Sequence, residues 1–72
     1  MDIKVNSIYQ HYKGDKYIVL DIAKHSETLE DMVIYRALYG DNKLWVRPLT
    51  MFNDTVNGEK RFKIITISSV KS

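Results

Sequence analysis

The chain has 72 residues, 11 Lys+Arg against 9 Asp+Glu, a formal net charge of +2 and no cysteine. That length is one domain. The missing cysteine rules out disulfides, thiolate catalysis, zinc ribbons and iron–sulfur clusters, and fits a cytosolic protein. The near-balanced charge describes a mixed surface rather than a strong polyanion binder. No apolar run approaches the ~18 residues of a membrane span, and Met1-Asp2-Ile3-Lys4-Val5-Asn6 lacks the basic and apolar regions of a secretory leader.

A domain of this size buries only about 60% of its unfolded surface, so its stability is expected at roughly 4–11 kcal/mol. Its large side chains are needed for the core. A site is therefore expected at a surface groove or rim.

Ser7 to Lys13 reads as a first strand, closed by a tight turn at Gly14-Asp15. Lys16 to His25 reads as a second, with Ile18, Leu20 and Ile22 on one face and Tyr17, Val19, Asp21 and Ala23 on the other. The polar run His25 to Asp31 reads as a loop or a single helical turn. Met32 to Tyr39 reads as a third strand. Leu29, Met32, Val33 and Arg36 have helical spacing, but Val33-Ile34-Tyr35 favours strand. Both faces of this segment are largely apolar, as expected of a strand covered on both sides.

Gly40 to Lys43 is a turn, and Leu44 to Arg47 a fourth strand ended by Pro48, which cannot donate to a ladder. Thr50 to Asn53 is expected as one helical turn placing Met51 and Phe52 against the end of a barrel. Asn57-Gly58 is a strong turn signal, and Lys60 to Ile67 reads as the last strand. Ser68 to Ser72 reads as a frayed tail. The sum is a mainly β chain: a small five-stranded SH3-like barrel with one short helical turn before the last strand, a single domain over 1–72 with an ordered core over about 7–67. An edge left open between the first and last strands leaves monomer and homodimer both admissible.

Three strings now stand out: His25-Ser26-Glu27-Thr28, Val33-Ile34-Tyr35-Arg36-Ala37-Leu38-Tyr39-Gly40 and Leu44-Trp45-Val46-Arg47-Pro48, followed by Met51-Phe52. With Tyr9-Gln10-His11-Tyr12-Lys13-Gly14 upstream and Arg61-Phe62 downstream, they resemble the bacterial domain-of-unknown-function family 1653. The resemblance covers roughly residues 8 to 62. It implies a small SH3-like barrel and no particular activity or ligand.

The residues to weigh are His11, Lys13, His25, Ser26, Glu27, Thr28, Tyr35, Arg36, Trp45 and Arg47. His25 beside Ser26 suggests base and nucleophile, but neighbours on an extended chain face opposite ways. Local hydrogen bonding by Ser26 and Thr28 is the simpler expectation. His11, His25 and Glu27 make a weak metal set without a motif, so no metal and no cofactor is expected. Arg36 and Arg47 stand inside apolar strands, where each extends its head group to solvent, pairs with a carboxylate (Glu27, Glu30 or Asp31) or grips an anion. Trp45 is either packed in the core or rim, or part of a stacking surface with Tyr9, His11, Tyr12 and Tyr35.

The expected function is a non-enzymatic binding module for a small anionic ligand or nucleotide-like group, built from His11, Lys13, His25, Ser26, Glu27, Thr28, Arg36, Trp45 and Arg47. A protein–protein adaptor with an aromatic groove is the alternative. Weak single-stranded nucleic-acid binding, with Lys13, Lys16 and Lys43 on phosphates, is a third reading. A small hydrolase using His25 or His11 as base has no triad, metal motif or Gly-rich phosphate loop behind it.

Overall fold

Gly14 adopts φ +110°, a conformation that suits glycine, and its N–H donates to the His11 carbonyl at 2.7 Å. The turn joins two antiparallel strands in the computed structural model, which describes residues 3–65. They are β1 (Ile8–His11) and β2 (Lys16–Lys24), paired through Ile8/Ile18, Tyr9/Tyr17 and Gln10/Lys16. A tight turn over Ser26–Thr28 leads into β3 (Asp31–Ala37), and a second loop leads into β4 (Leu44–Pro48). One helical turn, α1 (Leu49–Phe52), follows directly from Pro48. A two-stranded ribbon comes next, β5 (Thr55–Val56) with β6 (Glu59–Lys60), and then β7 (Phe62–Ile64).

Five strands form one antiparallel sheet in the order β4-β3-β2-β1-β7. The chain is therefore mainly β. Its sheet differs from the expected closed barrel: β4 and β7 are its two ends, with no ladder joining them among the described residues. Nor is an edge open between the first and last strands, because β7 pairs with β1 through Tyr9/Ile64, Gln10/Lys63 and His11/Phe62. The edges of the sheet are β4 and the far side of β7.

β2 departs from simple alternation. Val19 opposes Tyr35 and Asp21 opposes Ile34, so Leu20 is an extra residue, a β-bulge. The bulge exchanges the two faces of the strand at that point. Tyr17, Val19 and Ile22 share the core side with Ala37, Tyr35 and Val33, whereas Ile18, Asp21 and Ala23 share the outer side. This corrects the sequence expectation, which placed Ile22 with Ile18 and Asp21 with Val19.

β3 is buried on one face only. Val33, Tyr35 and Ala37 are buried, while Met32, Ile34 and Arg36 are half-buried on the outer side. The sequence reads as covered on both sides because the outer face is apolar too. Among the described residues no second layer packs on it.

The expected last strand, Lys60 to Ile67, is divided. The Asn57-Gly58 turn, with φ of 52° and 84°, folds Lys60 back onto Thr55. Positive φ at both central positions is what a two-residue hairpin of type I′ requires. Arg61 then interrupts the strand, its N–H donating to the Asp54 carbonyl at 3.0 Å, before Phe62 joins β1. Thr66, Ile67 and the expected tail lie outside the described residues.

The core is mostly aromatic. Phe52 and Phe62 stack with centroids 4.0 Å apart and planes 2° apart. Tyr9 and Tyr35 meet the edge of Phe52 at 5.4 Å and 5.3 Å, and Tyr17 and Tyr35 meet Phe62 at 5.7 Å and 5.6 Å. Val19 and Val33 fill the floor with no exposed area. Each favourable ring pair adds about 0.5–1.5 kcal/mol beyond burial. The helical turn therefore inserts Phe52 (1% exposed) at the centre of the core, while Met51, expected to tuck in beside it, is 47% exposed. One turn of helix presents only one of two adjacent side chains to the sheet.

Candidate functional site

The core face of the sheet ends in a rim where charged and aromatic side chains meet. β1 ends at His11, which opposes Phe62 on β7, so the imidazole stands edge-on to that ring with centroids 4.9 Å apart. On β4, Trp45 and Arg47 alternate onto the same face, opposite Tyr35 and Val33. Because β4 is a sheet end, these two side chains extend beyond the core instead of being covered by it.

Arg47 is half-buried and reaches back over the core rings. Its Nε donates to the Tyr35 hydroxyl at 3.3 Å, and its guanidinium carbon lies 5.6 Å from the Phe62 centroid. A cation over an aromatic face gains about 0.5–2 kcal/mol, more where water is excluded. Among the described residues Arg47 forms no ion pair. The two pairs there are Lys24–Asp31 at 2.8 Å and Arg61–Asp54 at 2.7 Å.

The surroundings of His11 are net positive. Its pKa is held below the ordinary 6.5, first by burial and then by Arg47, Arg61 and Lys13, against a small opposing pull from Asp15. The Lys13 N–H donates to His11 Nδ1 at 3.2 Å, which leaves Nε2 to carry the proton of the neutral ring. Arg61 is committed elsewhere: its Nε and one terminal nitrogen donate to the two Asp54 carboxylate oxygens at 2.7 Å and 3.3 Å. That fork holds the Asp54 carboxyl below the usual range.

Two tyrosines extend the rim. The Tyr17 and Tyr39 hydroxyls share a hydrogen bond at 2.9 Å, and Tyr17 also meets Tyr35 edge-on at 5.2 Å. Burial and the Tyr39 hydroxyl together push the Tyr17 phenol well above its ordinary range. Tyr39 and Trp45, 43% and 48% exposed, line a cleft of about 180 Å³ with Ala37, Asp41 and Lys43. Trp45 is thus a rim residue and not part of the core.

The structure brings together only part of the expected site. His11, Lys13, Trp45 and Arg47 share the rim. His25, Ser26, Glu27 and Thr28 do not: they form the β2–β3 turn, separated from His11 by the nine residues of β2, about 30 Å of extended chain. There His25 organises the backbone. Its Nδ1 accepts from the Glu27 and Thr28 N–H groups at 3.1 Å and 3.3 Å, and its carbonyl accepts from Leu29, whose φ is +65°. Thr28 Oγ1 accepts from the Glu30 N–H at 3.2 Å. The turn is stabilised by side-chain-to-backbone bonds, the simpler of the two expectations for it.

Arg36 also leaves the set. It lies on the outer face opposite Ile18 and Leu44, and its terminal nitrogen donates to the Asn42 carbonyl at 3.0 Å. Neither arginine takes the carboxylate partner anticipated for it, since Asp31 pairs with Lys24 and Thr28 Oγ1 donates to Glu30. With His11 and His25 at opposite ends of β2, no group of three or more His, Cys, Asp or Glu among the described residues is placed to hold a metal.

Sequence reasoning missed Tyr17, Tyr39, Phe62 and Arg61 as site neighbours. Phe62 reaches His11 only through the β1–β7 ladder, which spans about 50 residues of chain.

Comparison with known proteins agrees with the fold and leaves the chemistry open. The model of DUF1653, described as a protein of unknown function, matches residues 7–64. A crystal structure of a DUF1653 protein from Bordetella bronchiseptica is 34% identical, with a TM-score of 0.79 over 89% of this chain and 88% of that one. No curated protein matches the chain. The chain belongs to the DUF1653 family.

Proposed function

We propose that this DUF1653 domain is a non-enzymatic binding module for a small anionic ligand, whose charged group sits at Arg47 beside His11 and whose body lies along Tyr17, Tyr39 and Trp45. The observation that carries the reading is Arg47. It is a half-buried guanidinium whose only hydrogen bond is to a neutral phenol, with no carboxylate on it among the described residues. Buried cations are ordinarily paired, and guanidinium binds carboxylate or phosphate through two parallel bonds. Arg61, by contrast, is already satisfied by Asp54.

Trp45 and Arg47 are two residues apart on one strand face, about 6.6 Å along the chain. That spacing suits a planar group on the indole and an anion on the guanidinium, which is why a nucleotide-like ligand belongs in the first panel. The same reading keeps the SH3-like barrel as the architecture. Phe52 touches rings from β1, β3 and β7 at once, so the sheet must curl around it. We place the domain in the cytosol on its lack of cysteine.

An amide NMR titration with nucleoside monophosphates, a mixed single-stranded RNA and small carboxylates tests the proposal. The expected result is a set of shifts at His11, Tyr17, Arg47 and Phe62 that Arg47→Ala abolishes. Shifts confined to the His25–Thr28 turn would contradict it. A protein-adaptor reading is favoured by the exposed Tyr39–Trp45 cleft on the edge strand β4. In that case a peptide shifts Trp45 and Tyr39, and Arg47→Ala leaves the binding intact.

A further inference from the structure

The free side of β4 is set by hydrogen-bond parity. The Ala37 N–H donates to the Lys43 carbonyl at 2.9 Å, and the same register continues through Tyr35/Trp45 and Val33/Arg47. In an antiparallel ladder, bonded pairs alternate with pairs whose backbone groups point away. Lys43, Trp45 and Arg47 therefore bond inward to β3, and Leu44, Val46 and Pro48 turn their backbone groups outward. Among the described residues no backbone group meets the outward side of Leu44 or Val46.

The side chains leave this edge open. Leu44, Trp45 and Val46 are 49%, 48% and 58% exposed. Lys43 and Arg47 flank the stretch, and Pro48 stands only at its last position. Edge strands are usually blunted by a charge, a proline or a bulge, and an apolar edge without one is a template for another strand.

We infer that this chain forms a reversible homodimer by pairing β4 with β4 of a second copy, antiparallel about a two-fold axis at Val46. Complementarity selects both the occupant and the register. Centring the pair on Trp45 sets Lys43 of each copy against Arg47 of the other, and centring it on Arg47 sets the two guanidinium groups together. Like charges directly opposite are destabilising. Centring on Leu44 fails because Asn42, at φ +54°, leaves the extended chain, and its N–H and carbonyl are already bonded to Tyr39 and Arg36. Centring on Val46 uses the whole strand. Trp45 of each copy then stands across from Arg47 of the other, an indole against a cation. On the outer face Val46 meets its own equivalent, and Leu44 meets Pro48. Each Val46 N–H donates to the Val46 carbonyl of the other copy, and each Leu44 N–H to the Pro48 carbonyl. The strand is thus its own complement, which an unrelated peptide would match only by chance. Two five-residue strands make a small contact, so the dimer is reversible. The inference rests on the ladder and not on an anion at Arg47, so either can fail alone.

The first measurement is sedimentation velocity from about 20 μM to about 1 mM, with amide hydrogen exchange at the two ends of that range. The mass should rise from one chain toward two, and the Leu44 and Val46 amides should exchange more slowly at the higher concentration. The Trp45 and Arg47 amides, already bonded to β3, should not change. Single cysteines then test the register, since the chain has none of its own. In a glutathione redox buffer Val46→Cys should cross-link much faster than Leu44→Cys, because a bonded pair stands about 5.5 Å apart at Cα, within disulfide reach. The Leu44 positions of the two copies lie about 13 Å apart along the strands. A chain that stays monomeric throughout overturns the proposal. So does equal cross-linking at the two positions, which is random collision, or faster cross-linking of Trp45→Cys than of Val46→Cys.

Discussion

At the scale of single residues, His11 reports on the rim. Its folded pKa lies below the unfolded value of 6.5, with burial the largest cause and Arg47 the next. The folded state thus binds fewer protons than the unfolded state as pH falls through 6.5. Stability rises with pH wherever the unfolded state binds more protons. His11 therefore contributes fully above 6.5 and progressively less below it. Urea midpoints measured from pH 7.5 down to pH 5 should fall more steeply for the wild type than for His11→Gln. Superimposable curves would mean that the imidazole titrates as it does in water. The residue types of the rim are legible in the sequence: Arg47 stands out inside an apolar strand, His11 as a base or ligand and Trp45 as a stacking ring. Their grouping is not. Arg36 and Arg47 read alike as cations in strands, yet Arg36 opposes Leu44 on the outer face and Arg47 opposes Val33 on the core face. Only the register decides between them, and a register shift of one residue reverses every side chain.

At the scale of elements, the turns were the most legible feature, because their residues carry the required geometry locally. Gly58 has φ +84°, and a left-handed conformation costs an L residue about 1–2 kcal/mol. Gly58→Ala should lower the free energy of unfolding by about that amount. A denaturation midpoint unchanged from wild type would show that the β5–β6 ribbon contributes nothing to the folded state. The Leu20 bulge was illegible for the opposite reason. Ile18, Leu20 and Ile22 alternate without interruption in the sequence, and the extra residue exists only relative to β3. The last strand was misjudged similarly. Lys60 to Ile64 reads as continuous, but Arg61 is drawn out of line by Asp54, seven residues earlier, through both its backbone and its side chain.

At the scale of the whole molecule, one short sheet and one helical turn share a single aromatic core. Among the described residues no second layer compensates for its loss. Phe52 is the side chain that touches Tyr9, Tyr35 and Phe62 together. Truncating a buried phenylalanine costs about 3–5 kcal/mol, against a total of about 4–11 kcal/mol for a chain this long. Phe52→Ala should therefore leave a domain with at most marginal stability, visible as lost amide dispersion at 37 °C. Met51→Ala, one residue away and half-exposed, should stay within about 0.5 kcal/mol of wild type. A well-folded Phe52→Ala would show that the sheet is held by something other than this ring cluster. The same economy accounts for where the proposed anion position lies: with Tyr9, Tyr35, Phe52 and Phe62 buried in the core, the exposed rings Tyr39 and Trp45 stand at the β4 end of the sheet.

The most direct test of the anion position is the His11 pKa, read from its ring proton shifts with and without sulfate at constant ionic strength, in the wild type and in Arg47→Ala. Sulfate carries a fixed charge in this range and does not itself titrate. The account predicts a pKa below 6.5 in the free wild type that rises when sulfate binds. In Arg47→Ala it predicts a higher starting value and no response to sulfate. A wild-type pKa that ignores sulfate, or a response that survives Arg47→Ala, would contradict it.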